Sequence, residues 1–179
     1  MEFFGLGGSA AKPEKPRLPE VSDGVVAGQV WKGPPGSNPL RHTILGAGTA
    51  FCKAFRKALA ERDPTAKCRL VKPTGVPKQL FESDETYQCD FDQAVAIDYV
   101  VAGSSIVYCM HEFEFDQNVW KAKWPKFMRA ILDACIKHKA KLVFVQFNQY
   151  AYSESAVGNM VEDSETQPGS VKGQVRAPI

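Results

Sequence analysis

Short apolar runs along the chain alternate with stretches in which apolar residues recur at helical spacing. The runs lie at residues 43–46, 68–72, 86–91, 104–110 and 141–147. Each is only a few residues long and rich in β-branched or aromatic side chains, which favours a strand. Apolar strands separated by helices are typical of a parallel sheet that is buried on both faces and joined by right-handed crossovers. The pattern therefore predicts an α/β fold.

Three stretches between these strands predict helices. Residues 50–59, 92–102 and 124–138 carry apolar residues at helical spacing, and Pro64 and Gly103 end the first two. We expect the first and third helices to pack on the sheet through an apolar stripe. The predicted inward residues of the first helix are Ala50, Phe51, Ala54, Phe55, Ala58 and Leu59. Those of the third helix are Trp124, Phe127, Met128, Ile131, Leu132, Cys135 and Ile136.

Residues 1–40 differ in composition from the rest of the chain. They contain half of the prolines and half of the glycines, and their one helical pattern, at residues 21–31, is short and interrupted by glycine. Such a segment cannot form a core alone, because proline donates no backbone hydrogen bond and glycine is entropically costly to order. We predict an extended arm over 1–40 and a folded domain over 41–179. The arm either docks on other protein subunits or is a partly disordered tail, and its apolar anchors are Phe3, Phe4, Leu6, Val25, Val26, Val30 and Trp31.

Length and charge narrow the class of protein. The 179 residues suit one domain, and the net charge of +2 comes from interspersed charges of both signs, without the basic blocks of nucleic-acid-binding proteins. The five cysteines are odd in number, lie in apolar segments and form no C-x-x-C pair, which favours reduced core thiols and a reducing intracellular compartment. The sequence leaves open whether that compartment is the cytoplasm or an organelle interior such as a mitochondrion or plastid. No transmembrane segment and no secretory signal is expected.

A glycine turn stands between the first predicted strand and the first predicted helix. Gly46 and Gly48 allow a sharp turn and the close approach of a pyrophosphate to the helix N-terminus, as in a dinucleotide-binding unit. The third glycine of that pattern is missing. In the G-x-G-x-x-G spacing its place is taken by Phe51, and in the G-x-x-G-x-x-G spacing Thr49 and Cys52 replace the second and third glycines.

The order of segments resembles a known family. Its quoted parts are HTILGAG, RLVKPTG, QCDFDQAVAIDYVVAGSSIVYC, KFMRAILDACIKHKAKLVFVQFNQYAY and SVKGQVRA. This succession is similar to the N-terminal part of atypical and extended short-chain dehydrogenase/reductases, the NAD-dependent epimerase-like group. The resemblance covers roughly residues 42–177 and implies a Rossmann-like doubly wound parallel sheet, truncated, with the extended arm before it. Residues 153–173 are polar and loop-like, so the second half of the doubly wound fold is expected to be lacking.

The resemblance implies an NAD(P) site. It places the glycine turn at the pyrophosphate, Lys72 at the adenosine ribose or its 2′-phosphate, Asp90 at the adenine and residues 109–111 beside the nicotinamide ribose. Lys72 is alternatively a solvated charge, and Asp90 alternatively caps the helix that follows it. The implied cofactor-binding residues are Gly46, Gly48, Thr49, Lys72 and Asp90.

The family's chemistry requires a tyrosine as acid/base and a lysine four residues later. At the matching spacing this chain has Lys172 in place of the tyrosine and Arg176 in place of the lysine, and an arginine cannot donate and recover a proton near neutral pH in the same way. Tyr150 and Tyr152 are the weak candidates for a replacement, with packing at a strand end as their alternative role. The residues around His111 lack the second histidine of a metal motif, so no metal is expected.

Two functions are compatible with these residues. The favoured prediction is a catalytically degenerate dehydrogenase-like domain, a pseudoenzyme, that serves as a structural or accessory subunit of a larger assembly, with nucleotide binding possible but not required. The alternative is an NAD(P)-dependent oxidoreductase or epimerase-type enzyme that a partner chain completes. A nucleotide-sensing regulator that binds the cofactor without turnover lies between them.

Overall fold

The computed structural model describes residues 20–28, 30, 41–145, 152–153 and 158–178. Within these residues the chain forms seven strands and four helices. The strands are β1 (Glu20–Ser22), β2 (Val25–Ala27), β3 (Arg41–Leu45), β4 (Lys67–Lys72), β5 (Glu85–Cys89), β6 (Ile106–Cys109) and β7 (Lys141–Phe144). The helices are α1 (Ala50–Arg62), α2 (Ala94–Val101), α3 (Gln117–His138) and α4 (Val171–Arg176).

All seven strands form one sheet in the order β1-β2-β5-β4-β3-β6-β7. The pairs from β5 to β7 are parallel, whereas β1 and β2 are antiparallel additions at the β5 edge. The predicted α/β fold is therefore confirmed as a Rossmann-like, mostly parallel sheet. Because neighbouring parallel strands point the same way, the carboxyl ends of β3, β4 and β6 meet at one edge of the sheet.

A hairpin replaces the helix suggested by the pattern at residues 21–31. Gly24 has a φ of +73° and turns β1 into β2, which pairs antiparallel with β5 through Val25 and Cys89. Val25 and Ala27 are buried and Val26 between them is only half-buried, the period of two that a strand requires. The helical spacing noted at residues 21–31 thus forms no helix in its described part, because a short stretch interrupted by glycine does not separate the two periods. Residues 1–19, 29 and 31–40 of the predicted arm lie outside the described residues.

Helix α1 presents a different face to the sheet from the one predicted. Cys52 and Arg56 are its buried residues, whereas Phe51 is 55% exposed and Ala54 and Ala58 also face solvent. The Arg56 guanidinium lies inside because its Nε donates to Asp84 Oδ1 at 2.9 Å. An apolar stripe containing an arginine was not anticipated, so the predicted inward set was wrong for most of its members.

Helix α3 starts earlier than predicted and is rotated slightly. Asp116 caps it by accepting hydrogen bonds from the backbone N–H groups of Asn118 and Val119. Two predicted inward residues were wrong, since Leu132 is 37% and Ile136 is 76% exposed. They lie one position beyond the buried stripe, which consists of Trp120, Trp124, Phe127, Met128, Ile131, Ala134 and Cys135.

Candidate functional site

The glycine turn after β3 is conformationally specialised at both glycines. Gly46 and Gly48 have φ values of +97° and +109°, which side-chain-bearing residues rarely adopt. A Cβ on Gly46 would lie 2.5 Å from the backbone nitrogen of His111, so this glycine allows the loops after β3 and β6 to touch. A Cβ on Gly48 would meet only the Lys72 side chain, at 3.7 Å, so the space beside Gly48 is open.

The N-terminus of α1 points into this turn. Thr49 is its N-cap, and its Oγ1 accepts a hydrogen bond from the backbone N–H of Cys52 at 3.1 Å. No acidic residue lies in the first turn of the helix, so its positive end is not neutralised there. Cys52 is fully buried in the core beneath, where burial raises the pKa of its thiol. The cysteine that replaces the third glycine is thus a core residue.

A cleft of about 220 Å³ opens at the carboxyl ends of β3, β4 and β6. Its described lining comes from the glycine turn, from residues 72–74 after β4 and from residues 110–112 after β6. Open α/β sheets bind their ligands at this edge, where the strand order reverses. The structure therefore brings Gly46, Thr49 and Lys72 together in the cleft that the sequence pattern predicted.

A second cavity of about 150 Å³ lies on the other side of the turn. Gly48 and Lys72 line it, together with Lys53 from α1 and Lys78 from the connection to β5. Three ammonium groups around one small cavity suit an anionic ligand group. Sequence analysis missed Lys53 and Lys78, because they are separated by 25 positions and neither lies in a motif.

Asp90 is not among the described residues that line either cavity. Its carboxylate accepts hydrogen bonds from the backbone N–H of Asp92 at 2.9 Å and from Gln93 Nε2 at 3.0 Å. It therefore organises the turn that precedes α2, next to Gly24 of the hairpin. The N-cap of α2 is Gln93, so Asp90 acts one turn before the position of a conventional cap.

The loop after β6 gives the cleft a neutral imidazole. His111 packs edge-to-face against Phe113, Phe91 and Phe127, at centroid distances of 4.5, 5.0 and 5.6 Å. Burial, and to a smaller degree the charge of Lys123, lowers the pKa of His111 to about 4. Cys109, just before it, is fully buried, so of residues 109–111 it is Met110 and His111 that line the cleft.

Helix α4 carries the two residues at the spacing of the family's acid/base pair. The Lys172 ammonium lies 5.4 Å from the Trp120 ring centroid and 5.8 Å from that of Phe115. Arg176 Nη2 donates to Glu112 Oε2 at 2.7 Å, and its guanidinium lies 5.0 Å from the Trp124 ring centroid. Both cations thus pack against aromatic rings of α3 and its preceding loop, and Arg176 holds a carboxylate that lines the cleft. Its partner Glu112, 64 positions away, carries no sequence signal.

Neither tyrosine candidate is among the described residues that line the cleft. Tyr150 lies outside the described residues. Tyr152 is half-buried and forms an isolated antiparallel bridge with Thr166, and it is not among the described residues lining the cleft.

No group of three His, Cys, Asp or Glu side chains in the described ranges could hold a metal ion. No helix in this part of the chain is long and apolar enough to cross a bilayer. All five cysteines are free and buried, which confirms the predicted core thiols.

Comparison with known proteins supports the fold described above. No protein-family model matches the sequence, and no curated protein matches it. Solved structures do match. A uronate dehydrogenase from Agrobacterium tumefaciens is 22% identical with a TM-score of 0.61, over 75% of this chain and 51% of that one. A UDP-N-acetylglucosamine 4-epimerase from Bacillus cereus is 11% identical with a TM-score of 0.59, over 76% and 45%.

A third match holds a cofactor. The dTDP-glucose 4,6-dehydratase from Bacillus anthracis, solved in complex with NAD, is 13% identical with a TM-score of 0.61, over 78% of this chain and 47% of that one. At these identities the likeness shows the fold, which is the Rossmann-type fold of dehydrogenases and epimerases. The fold expected from the sequence resemblance is thereby confirmed. The chain spans about half the length of each of these structures.

Proposed function

We propose that this chain is a dehydrogenase-like Rossmann domain that binds NAD(P) at the glycine turn, lacks the acid/base chemistry of the related enzymes, and serves as an accessory subunit of a larger assembly. The observation that carries the proposal is a contrast between the glycine turn and helix α4. The cavities beside the glycine turn are open and lined by lysines, whereas the positions that match the catalytic pair hold cations that pack against aromatic rings.

The phosphate end supports nucleotide binding. Gly48 leaves room beside the N-terminus of α1, and Lys72 lies next to that room, so a pyrophosphate would meet backbone N–H groups and an ammonium. Lys53 and Lys78 add positive charge on the adenosine side. A ribose 2′-phosphate would be favoured there by three cations, so we expect NADPH to bind more tightly than NADH. When bound, the nicotinamide would supply hydride chemistry.

The other end supports a loss of catalysis. A guanidinium remains protonated at neutral pH and is a poor proton carrier. The Arg176 side chain is only 2% exposed and paired with Glu112, so it is committed to packing. Lys172 is stacked on two aromatic rings. Arg176 is therefore a poor proton carrier, and Lys172 packs on rings of this same chain instead of presenting the phenolic hydroxyl that a tyrosine supplies to an alcohol or ketone.

The accessory role is supported by the composition of residues 1–40. The proposed arm carries apolar residues that suit docking on a neighbouring subunit.

Cofactor titration tests the binding half of the proposal. We expect nicotinamide fluorescence to change on titration with NADPH, and Lys72→Glu to weaken binding about tenfold or more, which corresponds to about 1.4 kcal/mol. The matched control is Lys141→Glu, an exposed lysine at the amino end of β7, away from the cleft. Absence of binding by the wild-type chain at millimolar NADPH and NADH would refute this half.

Turnover tests the other half. We expect no change in NADH absorbance when the chain is incubated with NAD and a uronic acid, or with NADH and a nucleotide sugar. Steady turnover that Tyr152→Phe or Tyr150→Phe abolishes would instead establish the enzyme alternative. Turnover insensitive to both substitutions would place the acid/base elsewhere and also contradict the proposal.

A further inference from the structure

The connection between β4 and β5 differs from the other parallel crossovers. Helix α1 joins β3 to β4, α2 joins β5 to β6, and α3 joins β6 to β7. Residues 73–84, all of which are described, contain no helix. Helix α1 therefore lacks a neighbouring helix from that crossover on its own face of the sheet.

A groove of about 320 Å³ runs along this flank of α1. Its described lining comprises Ala54, Leu80 and Phe81, with Lys53 and Lys57 from α1. Ala54 contributes only a methyl group to this lining, and Phe51, one turn earlier on the helix, is 55% exposed. The groove is thus apolar inside and basic along its helical side.

Buried polar contacts fix the far wall of the groove. The Arg56 guanidinium lies 4.2 Å from the Phe81 ring centroid and pairs with Asp84 at 2.9 Å. Asp84 also accepts a hydrogen bond from the Phe81 backbone N–H at 3.0 Å. Because Arg56 and Asp84 are 1% exposed, the connection is held rigidly. A ligand would therefore find the groove already formed, which lowers the entropic cost of binding.

The charge around the groove has one sign. Lys53 also lines the adjacent cavity with Lys72 and Lys78, so four lysines follow one another along this side of the molecule. The described lining of the two cavities contains no Asp or Glu. In a chain of net charge +2, this is a local concentration of positive charge.

We propose that this groove binds an acidic, amphipathic segment of a partner protein, which inserts an apolar side chain between Ala54 and Phe81 and places carboxylates beside Lys53 and Lys57. An amphipathic helix in a groove is a recurring mode of peptide recognition. A nucleic-acid backbone would use the lysines but would gain nothing from the apolar interior, so a peptide is the better match. The inference does not rest on nucleotide binding.

Selection from a displayed library of random 15-residue peptides tests the chemistry of the partner. We expect the full chain to enrich peptides with apolar residues at helical spacing and several Asp or Glu residues. Lys57→Glu, which reverses a charge, and Ala54→Phe, which fills the groove, should each weaken a selected peptide about tenfold or more by fluorescence anisotropy. Lys121→Glu, an exposed lysine on α3, is the matched control and should bind as the wild type does.

The same measurement separates the competing results. Selected peptides without acidic enrichment, or binding that is unaffected by both groove variants, would overturn the proposal. Tighter binding of single-stranded oligothymidylate than of the selected peptide, lost in Lys57→Glu, would assign the surface to nucleic acid. Circular dichroism on each variant shows whether it is folded, and because Lys57 is exposed its substitution should leave the fold intact.

Photo-crosslinking from position 54 distinguishes a partner protein from a second copy of this chain or its own residues 1–40 as the occupant of the groove. With benzoylphenylalanine at Ala54 in the full-length chain in cells, we expect a crosslink to an acidic segment of a different protein, lost in Lys57→Glu. A crosslink to a second copy of this chain, or to residues 1–40 of the same chain, would overturn the proposal.

Discussion

The two faces of the sheet are built in different ways. The face covered by α2 and α3 holds 21 of the described residues in one buried apolar cluster, including both Trp120 and Trp124. The α1 face holds six, with no aromatic residue fully buried among them, and it adds the buried Arg56–Asp84 pair. The first face is closed by aromatic packing, whereas the second depends on a polar clamp and leaves a groove. The first thus provides stability, and the second provides the accessible surface.

The largest effect is expected on the α2–α3 face. Phe127→Ala should reduce the free energy of unfolding by about 3–5 kcal/mol, because the side chain is 1% exposed and packs against Phe91, Phe113 and His111. Ile136→Ala on the same helix is the control, since that side chain is 76% exposed and its loss should change stability by less than about 0.5 kcal/mol. Urea unfolding of both variants measures the difference. Equal losses would contradict the assigned faces of α3.

Loss of the buried Arg56–Asp84 pair should give the next largest effect on stability. Asp84→Ala leaves the Arg56 charge buried without its partner and should cost about 3 kcal/mol in urea unfolding. A double variant, Arg56→Met with Asp84→Leu, should recover most of that loss, because apolar residues of similar size often replace a buried ion pair without cost. If the double variant were as unstable as Asp84→Ala, the shape of the clamp, and not its charge, would be what stabilises this face.

Acid should act more strongly on the α2–α3 face. Burial lowers the pKa of His111 to about 4, against 6.5 for a histidine in the unfolded chain. Between those values the unfolded chain binds a proton that the folded chain does not, so stability falls with falling pH, by roughly 3 kcal/mol in all. His111→Asn should remove most of this dependence.

Histidine on the α1 face provides the comparison for the acid effect. His42 stacks on Tyr108, and burial also lowers its pKa. His42→Asn should flatten the stability-against-pH curve by a smaller amount than His111→Asn does. The free energy of unfolding at pH 7 and at pH 4.5 decides between them, and a larger effect of His42 would contradict the larger lowering of the pKa at His111.

The smallest effect is expected at the rim of the groove. Phe51→Ser should change the free energy of unfolding by less than about 0.5 kcal/mol, because Phe51 is 55% exposed. Cys52→Ser, at the next position, puts a polar hydroxyl in place of a fully buried thiol and should cost clearly more. Thermal unfolding of the two variants compares an exposed and a buried position that are adjacent on α1, and similar losses would contradict the assigned buried face of the helix.

The strands of the parallel sheet could be predicted from the sequence, whereas the buried face of each helix could not. Five apolar runs identified five strands within a few residues, because a strand buried on both faces needs only local apolarity. Which face of a helix is buried depends on the residues that pack against it. Arg56 is turned inward by Asp84, which lies 28 positions away, and no local pattern encodes that pairing.

The site shows the same division. Gly46 and Gly48 could be found in the sequence, because positive φ values favour glycine at both positions. Gly46 lines the cleft and Gly48 lines the second cavity. Sequence analysis missed Lys53, Lys78 and Glu112, because only the folding of the chain brings these residues to the cavities. Cofactor contact by Gly46, Gly48, Thr49, Lys72 and Asp90 stays a prediction that titration will test.

The hairpin at the β5 edge has a consequence for self-association. An exposed sheet edge is a template on which another chain can add a strand. Of the strands in the described residues the outermost is β1, which has three residues, and its pairing with β2 is irregular between Glu20 and Ser22. Short and irregular edge strands are poor templates for strand addition. The hairpin therefore disfavours edge-to-edge aggregation at this side of the sheet, and it leaves the carboxyl ends of the strands open.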